Sequence, residues 1–169
     1  FGDKPDDVNA YAASSFYAVD RYASYKTDWG EFYREGGLVL SDRYTTSNAV
    51  HQCSKLPPMH WDGFLNWLFD FEYKKFGIPA PDAVIYLAVD PEISQKLITE
   101  RYNGDETKKD IQEKDTDYLA RSRAAAEYCA RTLGWHRIEF TAADANGAKS
   151  MRSVEDINAE ILGELAGIL

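Results

Sequence analysis

The sequence predicts an α/β fold, a parallel sheet with helices on both faces, and three observations carry that expectation. Short apolar runs recur along the chain, helical apolar spacing fills the stretches between them, and turn residues mark the joins. Strands alternating with helices pair in parallel, because each crossover brings the chain back to the same end of the sheet. The 169 residues are 44% hydrophobic and 28% charged, a balance that supports a packed core and not a disordered chain. No repeat, linker or low-complexity tract divides them, so residues 1–169 read as one domain.

The first helix follows Pro5, with Asp6 or Asp7 as its cap, and runs to about Tyr25 with Val8, Ala12, Phe16 and Val19 on one stripe. Leu38-Val39-Leu40, between Gly36-Gly37 and Asp42, reads as a buried strand. Trp61, Phe64, Leu65, Leu68 and Phe71 define a second amphipathic helix, from Trp61 to about Phe76, stopped by Gly77 and Pro79. Residues 83–89 (AVIYLAV) are nearly all apolar, as in a strand covered on both faces. Asp90-Pro91-Glu92 opens a helix to about Arg101, and residues 103–117, polar and of both charge signs, read as a mobile lid. An Ala-rich helix at 118–133 ends at Gly134, and residues 135–140 are a third strand candidate. Ser153-Val154-Glu155-Asp156 forms a capping box before a last helix with Val154, Ile157, Ile161, Leu165 and Ile168 on one side.

Charge bounds the function. Asp and Glu outnumber Lys and Arg by 28 to 19, giving a net charge of -9, so the whole-molecule field repels nucleic acid. Small phosphates remain possible ligands, since they need only a few local cations and helix N-termini. No apolar run approaches the roughly eighteen residues of a membrane span. Cys53 and Cys129 make no disulfide framework or metal motif and read as two reduced thiols of a cytoplasmic protein.

Ligands of parallel sheets collect beyond the strand carboxyl ends, where Ser41-Asp42-Arg43-Tyr44-Thr45-Thr46-Ser47-Asn48 follows the strand at 38–40. There Asp42 can hold a hydrated Mg²⁺ and Arg43 can grip a phosphate with paired hydrogen bonds; an Asp42–Arg43 ion pair with a helix cap from Thr46 or Ser47 is the plainer alternative. Tyr17 and Arg21, four apart on one helix face, can meet a base and a phosphate, or can be a packing contact with a solvated charge. Arg101, Lys108, Lys109, Arg121 and Arg123 surround the polar loop, and a solvated surface explains them equally well. Asp110, Glu113 and Asp115 can be ordinary surface acids. His51, His60 and His136 lack metal-ligand spacing, and no Ser-His-Asp or Cys-His arrangement is present.

Taken together, YAVDR (residues 17–21), GGLVLSDRYTTSNAVHQ (36–52), FGIPAPDAVIYLAVDPEIS (76–94) and the later Arg121-x-Arg123 resemble the thymidylate kinase family. The resemblance implies a three-layer P-loop nucleoside monophosphate kinase fold and phosphoryl transfer from ATP to dTMP with Mg²⁺, in a cytoplasmic homodimer. Tyr17 would then stack on thymine, and Arg21 and Arg43 would bind the acceptor phosphate. Asp42 would support Mg²⁺, and Ser47, Asn48 and Gln52 would belong to the thymine-edge motif. Arg101, Lys108, Lys109, Glu113 and Arg121 would belong to the lid and its ATP contacts, with Arg43, Asp42 and Arg121 carrying the catalysis.

Two departures stand out. His51 occupies a position where the family commonly has Tyr, near the sugar. Nothing in the 169 residues matches G-x-x-x-x-G-K-[ST], the loop that cradles phosphate in such kinases. Because the chain opens on Phe1 and turn-forming residues, it reads as the larger C-terminal part of such an enzyme, inactive and unable to fold alone. The strands at 38–40 and 83–89 are then expected about 10 Å apart, two strand spacings, with a slot between them. The alternatives are a deoxynucleoside kinase, another nucleoside monophosphate kinase, or a noncatalytic nucleotide-binding module that has lost the loop.

Overall fold

The computed structural model describes residues 7–101, 116–143, 147 and 149–168. Lys108, Lys109 and Glu113, with nearly all of the expected lid, lie outside them. Two compact units emerge, Phe1–Ala80 with Arg121–Ala126, and Pro81–Ala120 with Glu127–Leu169.

The first unit is helical. Helix α1 (Ala10–Ser24) starts later than expected, because Asn9 caps it: its Oδ1 accepts from the Ala12 N–H at 2.9 Å. Its buried face is Ala10, Ala13, Ser14 and Ala18, while Phe16 and Val19 are more than half exposed, which corrects the expected stripe. Small side chains bring α1 close to its neighbour α3 (Thr45–Cys53), so closeness of approach and not side-chain size selects the buried face. From α1 the chain runs through a π-helical turn, Tyr25–Trp29, into the short α2 (Gly30–Arg34). A Cβ on Gly30 would collide with the Tyr25 carbonyl oxygen, so the widened turn closes only on glycine.

Residues 38–40 form no strand. Leu38 is 70% and Leu40 94% exposed, and no strand among the described residues offers them a ladder. Helix α4 (Trp61–Phe69) follows the 3₁₀ turn Pro58–His60 and passes into a second π-helical segment, Asp70–Lys75. Together they span the helix expected from 61 to 76, with Trp61, Phe64, Leu65 and Leu68 buried as expected. Gly77, at φ +72°, ends it.

In the second unit β1 (Ile85–Ala88) pairs in parallel with β2 (His136–Glu139), in register Ile85 to His136. The helices α5 (Pro91–Arg101) and α6 (Thr116–Leu133) lie between them in sequence, and α6 ends at Gly134 with φ +70°. Thus the parallel α/β crossover is present, as a two-stranded sheet among the described residues. Leu87 is 43% exposed, so β1 is not covered on both faces as its apolar run suggested. A hairpin of β3 (Thr141–Ala143) and β4 (Lys149–Met151) was not expected. Helix α7 (Val154–Leu165) opens as the sequence predicts, with Ser153 Oγ accepting from the Asp156 N–H at 3.0 Å. Of its expected stripe Ile157 is buried, whereas Val154 is exposed.

Candidate active site

The acceptor-side candidates Tyr17, Arg21, Asp42, Arg43, Ser47, Asn48, His51 and Gln52 all lie in the first unit. Arg43 sits just ahead of α3 with φ +69°, the only non-glycine residue among those described in the left-handed region. A branched or long side chain held there costs about 1 to 2 kcal/mol, and such strain collects at functional positions. Its Nε donates to Ser47 Oγ at 3.0 Å, and its carbonyl accepts from Ser41 Oγ. The Nη atoms of this exposed guanidinium make no hydrogen bond to the described residues. Asp42 is exposed and does not pair with Arg43, and neither Thr46 nor Ser47 caps α3, so the plainer alternative is set aside.

Arg21 is held differently. Its Nε and Nη2 donate to the two oxygens of Glu72 at 2.7 and 2.8 Å, a bidentate pair. Glu72 is completely buried and also accepts from Thr45 Oγ1 at 2.8 Å and Asn48 Nδ2 at 3.3 Å. Each carboxylate oxygen therefore takes two hydrogen bonds, which offsets the cost of burying the charge. Glu72 was missed in the sequence. Its signal was its place in the series Trp61, Leu65, Leu68, Glu72: an acid on an apolar helical stripe requires a cation beside it. Neighbouring Tyr44 stacks near Arg21 and donates to the Pro79 carbonyl, and its phenol is pushed above its ordinary pKa by burial and by nearby Tyr73 and Glu72. Burial pushes the Tyr73 phenol up to about 12.

The remaining candidates differ in exposure. Tyr17, on α1, is 46% exposed, so its ring is accessible. Asn48 also donates to the Ser14 carbonyl at 3.4 Å, which ties α3 to α1. Burial, with Arg43 and Lys55 nearby, lowers the His51 pKa to about 4, so its ring is neutral at physiological pH. Gln52 is buried, and its Oε1 has no partner among the described residues. Arg121 is exposed on α6, and exposed Arg101 ends α5 in the second unit.

With this geometry in view, the family model described as thymidylate kinase matches residues 4–146. The chain belongs to the thymidylate kinase family. It is 30% identical to the thymidylate kinase of Mycobacterium tuberculosis over 129 residues, 75% of this chain and 59% of that protein. Over 88 residues it is 34% identical to a probable thymidylate kinase of Staphylothermus marinus, covering 52% of this chain and 40% of that protein. A probable thymidylate kinase of Pyrobaculum aerophilum is 30% identical over 98 residues, 58% of this chain and 46% of its own. The chain thus spans between 40 and 59% of the curated relatives it matches.

As a member of this family the chain has an α/β fold with a small parallel sheet and flanking helices. Kinases of this kind use Mg²⁺, and the donor set has to fit it. No group of three potential ligand residues occurs among the described residues, which excludes a closed protein cage there. One exposed carboxylate, Asp42, suits a Mg²⁺ that keeps its waters and takes its other ligands from phosphate. No helix among the described residues is long and apolar enough to cross a membrane.

Proposed function

We propose that the full-length protein is a cytoplasmic, homodimeric thymidylate kinase that transfers the γ-phosphoryl group of ATP to dTMP, giving dTDP and ADP. The observation that supports this reading best is Arg43, strained and exposed at the head of α3 with its Nη atoms making no hydrogen bond to the described residues, in the same unit as Arg21 held by Glu72. A dTMP phosphate oxygen attacks the γ-phosphorus, a new P–O bond forms, and the bond to the β-phosphate oxygen breaks. Little covalent chemistry is left for the protein, so its work is positioning and charge neutralisation.

In this reading the Arg43 guanidinium and the open side of Arg21 grip the acceptor phosphate, and Tyr17 stacks on thymine. Ser47, Asn48 and Gln52 line the base edge. Neutral His51 suits a sugar hydroxyl better than an anion, since it offers a hydrogen bond without charge. Asp42 would hold Mg²⁺, which when bound spreads the negative charge of the donor phosphates. Arg101 and Arg121, with Lys108, Lys109 and Glu113 of a lid at 103–117, serve the ATP side, where closure excludes water as a competing acceptor.

The test is steady-state phosphoryl transfer by the full-length protein with dTMP, dUMP, dCMP and thymidine as acceptors, in wild type and Arg43→Ala. The expected result is highest kcat/KM for dTMP and a loss of about a hundredfold in Arg43→Ala turnover, the size of one missing transition-state donor. Preference for thymidine would favour a deoxynucleoside kinase, preference for dCMP another monophosphate kinase, and no transfer at all a binding module.

A further inference from the structure

We infer that Glu72 is a positioning residue of the acceptor site, a buried carboxylate whose task is to fix the Arg21 guanidinium in one orientation; the inference rests on the reading of Arg21 as a phosphate contact. A flexible arginine pays for immobilisation when it binds an anion. Arg21 has already been immobilised, because two of its nitrogens are committed to Glu72 at 2.7 and 2.8 Å. Nη1 makes no hydrogen bond to the described residues. Glu72 in turn cannot drift: it is fully buried, at the π-helical segment after α4, and Thr45 and Asn48 of α3 donate to the same oxygens. One carboxylate therefore links α1, α3 and the π-helical segment after α4, and sets the Arg21 fork relative to Asn48, another residue of the same proposed site.

Charge and position make opposite forecasts, which makes the role testable. Replacing Glu72 by Gln removes a negative charge beside an anionic ligand, so electrostatics alone would tighten dTMP binding. Loss of position would weaken it, because the amide cannot accept both arginine hydrogen bonds.

The experiment is calorimetric dTMP binding, with KM for dTMP and ATP, on the full-length protein as wild type, Glu72→Gln, Arg21→Ala and the double variant. Glu72→Gln is expected to weaken dTMP about tenfold while the ATP KM moves less than about twofold, since misplacing a contact by a fraction of an ångström costs that order. In the Arg21→Ala background the same change should alter dTMP affinity less than about twofold, because its route of action is gone. Unchanged or tighter dTMP binding by Glu72→Gln, or an undiminished effect without Arg21, overturns the inference. Should Glu72→Gln fail to fold, Thr45→Val removes one donor to the same carboxylate at constant charge. A loss of about threefold in dTMP affinity is then expected, and no loss overturns the inference. A wild-type protein without dTMP affinity overturns the functional reading itself, and this positioning role with it.

Discussion

His51 shows how a single side chain is set by its surroundings. Burial, then the positive charges of Arg43 and Lys55, lower its pKa to about 4 from an ordinary value of 6.5. Below pH 6.5 the unfolded chain takes up a proton that the folded chain refuses until about pH 4. Stability from this group is therefore complete above pH 6.5 and is lost progressively as pH falls toward 4. Between pH 7 and pH 5 the loss should be about 2 kcal/mol. Denaturant unfolding of wild type and His51→Gln at both pH values measures it: wild type should lose that much more stability than the variant. Equal losses would mean that the ring is solvated. Arg43 and Arg21, both in the first unit, would divide the work of the proposed anion site differently. Arg43 is exposed and strained, and its charge has no acid partner among the described residues, whereas the charge of Arg21 is largely balanced by Glu72 and its contribution is geometric.

At the scale of the element, legibility tracks the strength of the apolar signal. The helix from Trp61 was plain because four large side chains repeat at helical spacing and all are buried. The face of α1 was misread because Ala10, Ala13, Ser14 and Ala18 have the right period but little hydrophobicity, while Phe16 and Val19 are conspicuous and exposed. A run such as 38–40 becomes a strand only where a neighbour supplies hydrogen bonds, which three apolar letters cannot reveal. The β3–β4 hairpin, built from Thr-Ala-Ala and Lys-Ser-Met, carries no apolar alternation at all. Arg21, Arg43, Ser47 and Asn48 are legible as motif letters; Glu72 is legible only as an acid on an apolar helical stripe, a signal that asks for a cation without naming Arg21. The other π-helical turn gives an element-scale prediction. Gly30→Ala places a methyl group against the Tyr25 carbonyl, so the turn must reopen, and a loss of roughly 2 kcal/mol or more is expected. Denaturant midpoints compare it with Gly163→Ala, on a helix with open space at that position, where no loss is expected. Equal stability of the two variants would show that the widened turn does not depend on glycine.

For the whole molecule, a net charge of -9 and the proposed anionic substrate are compatible because recognition is local. In the proposed site Arg43, strained into the left-handed region and without an acid partner among the described residues, supplies the positive charge, while Arg21, pre-set by a buried acid, supplies a fixed donor. The family assignment, the helical first unit and the parallel crossover of the second are mutually consistent with a nucleotide kinase, and the central claim is that the first unit takes the acceptor. The most direct measurement follows the arginine side-chain Nε–H resonances of the ¹⁵N-labelled full-length protein as dTMP is added. Arg21 and Arg43 should both shift saturably with dTMP, and much less with thymidine, which lacks the phosphate. If dTMP saturates the protein while both resonances stay where they were, the acceptor phosphate lies elsewhere and the site described around Arg21 and Arg43 is wrong.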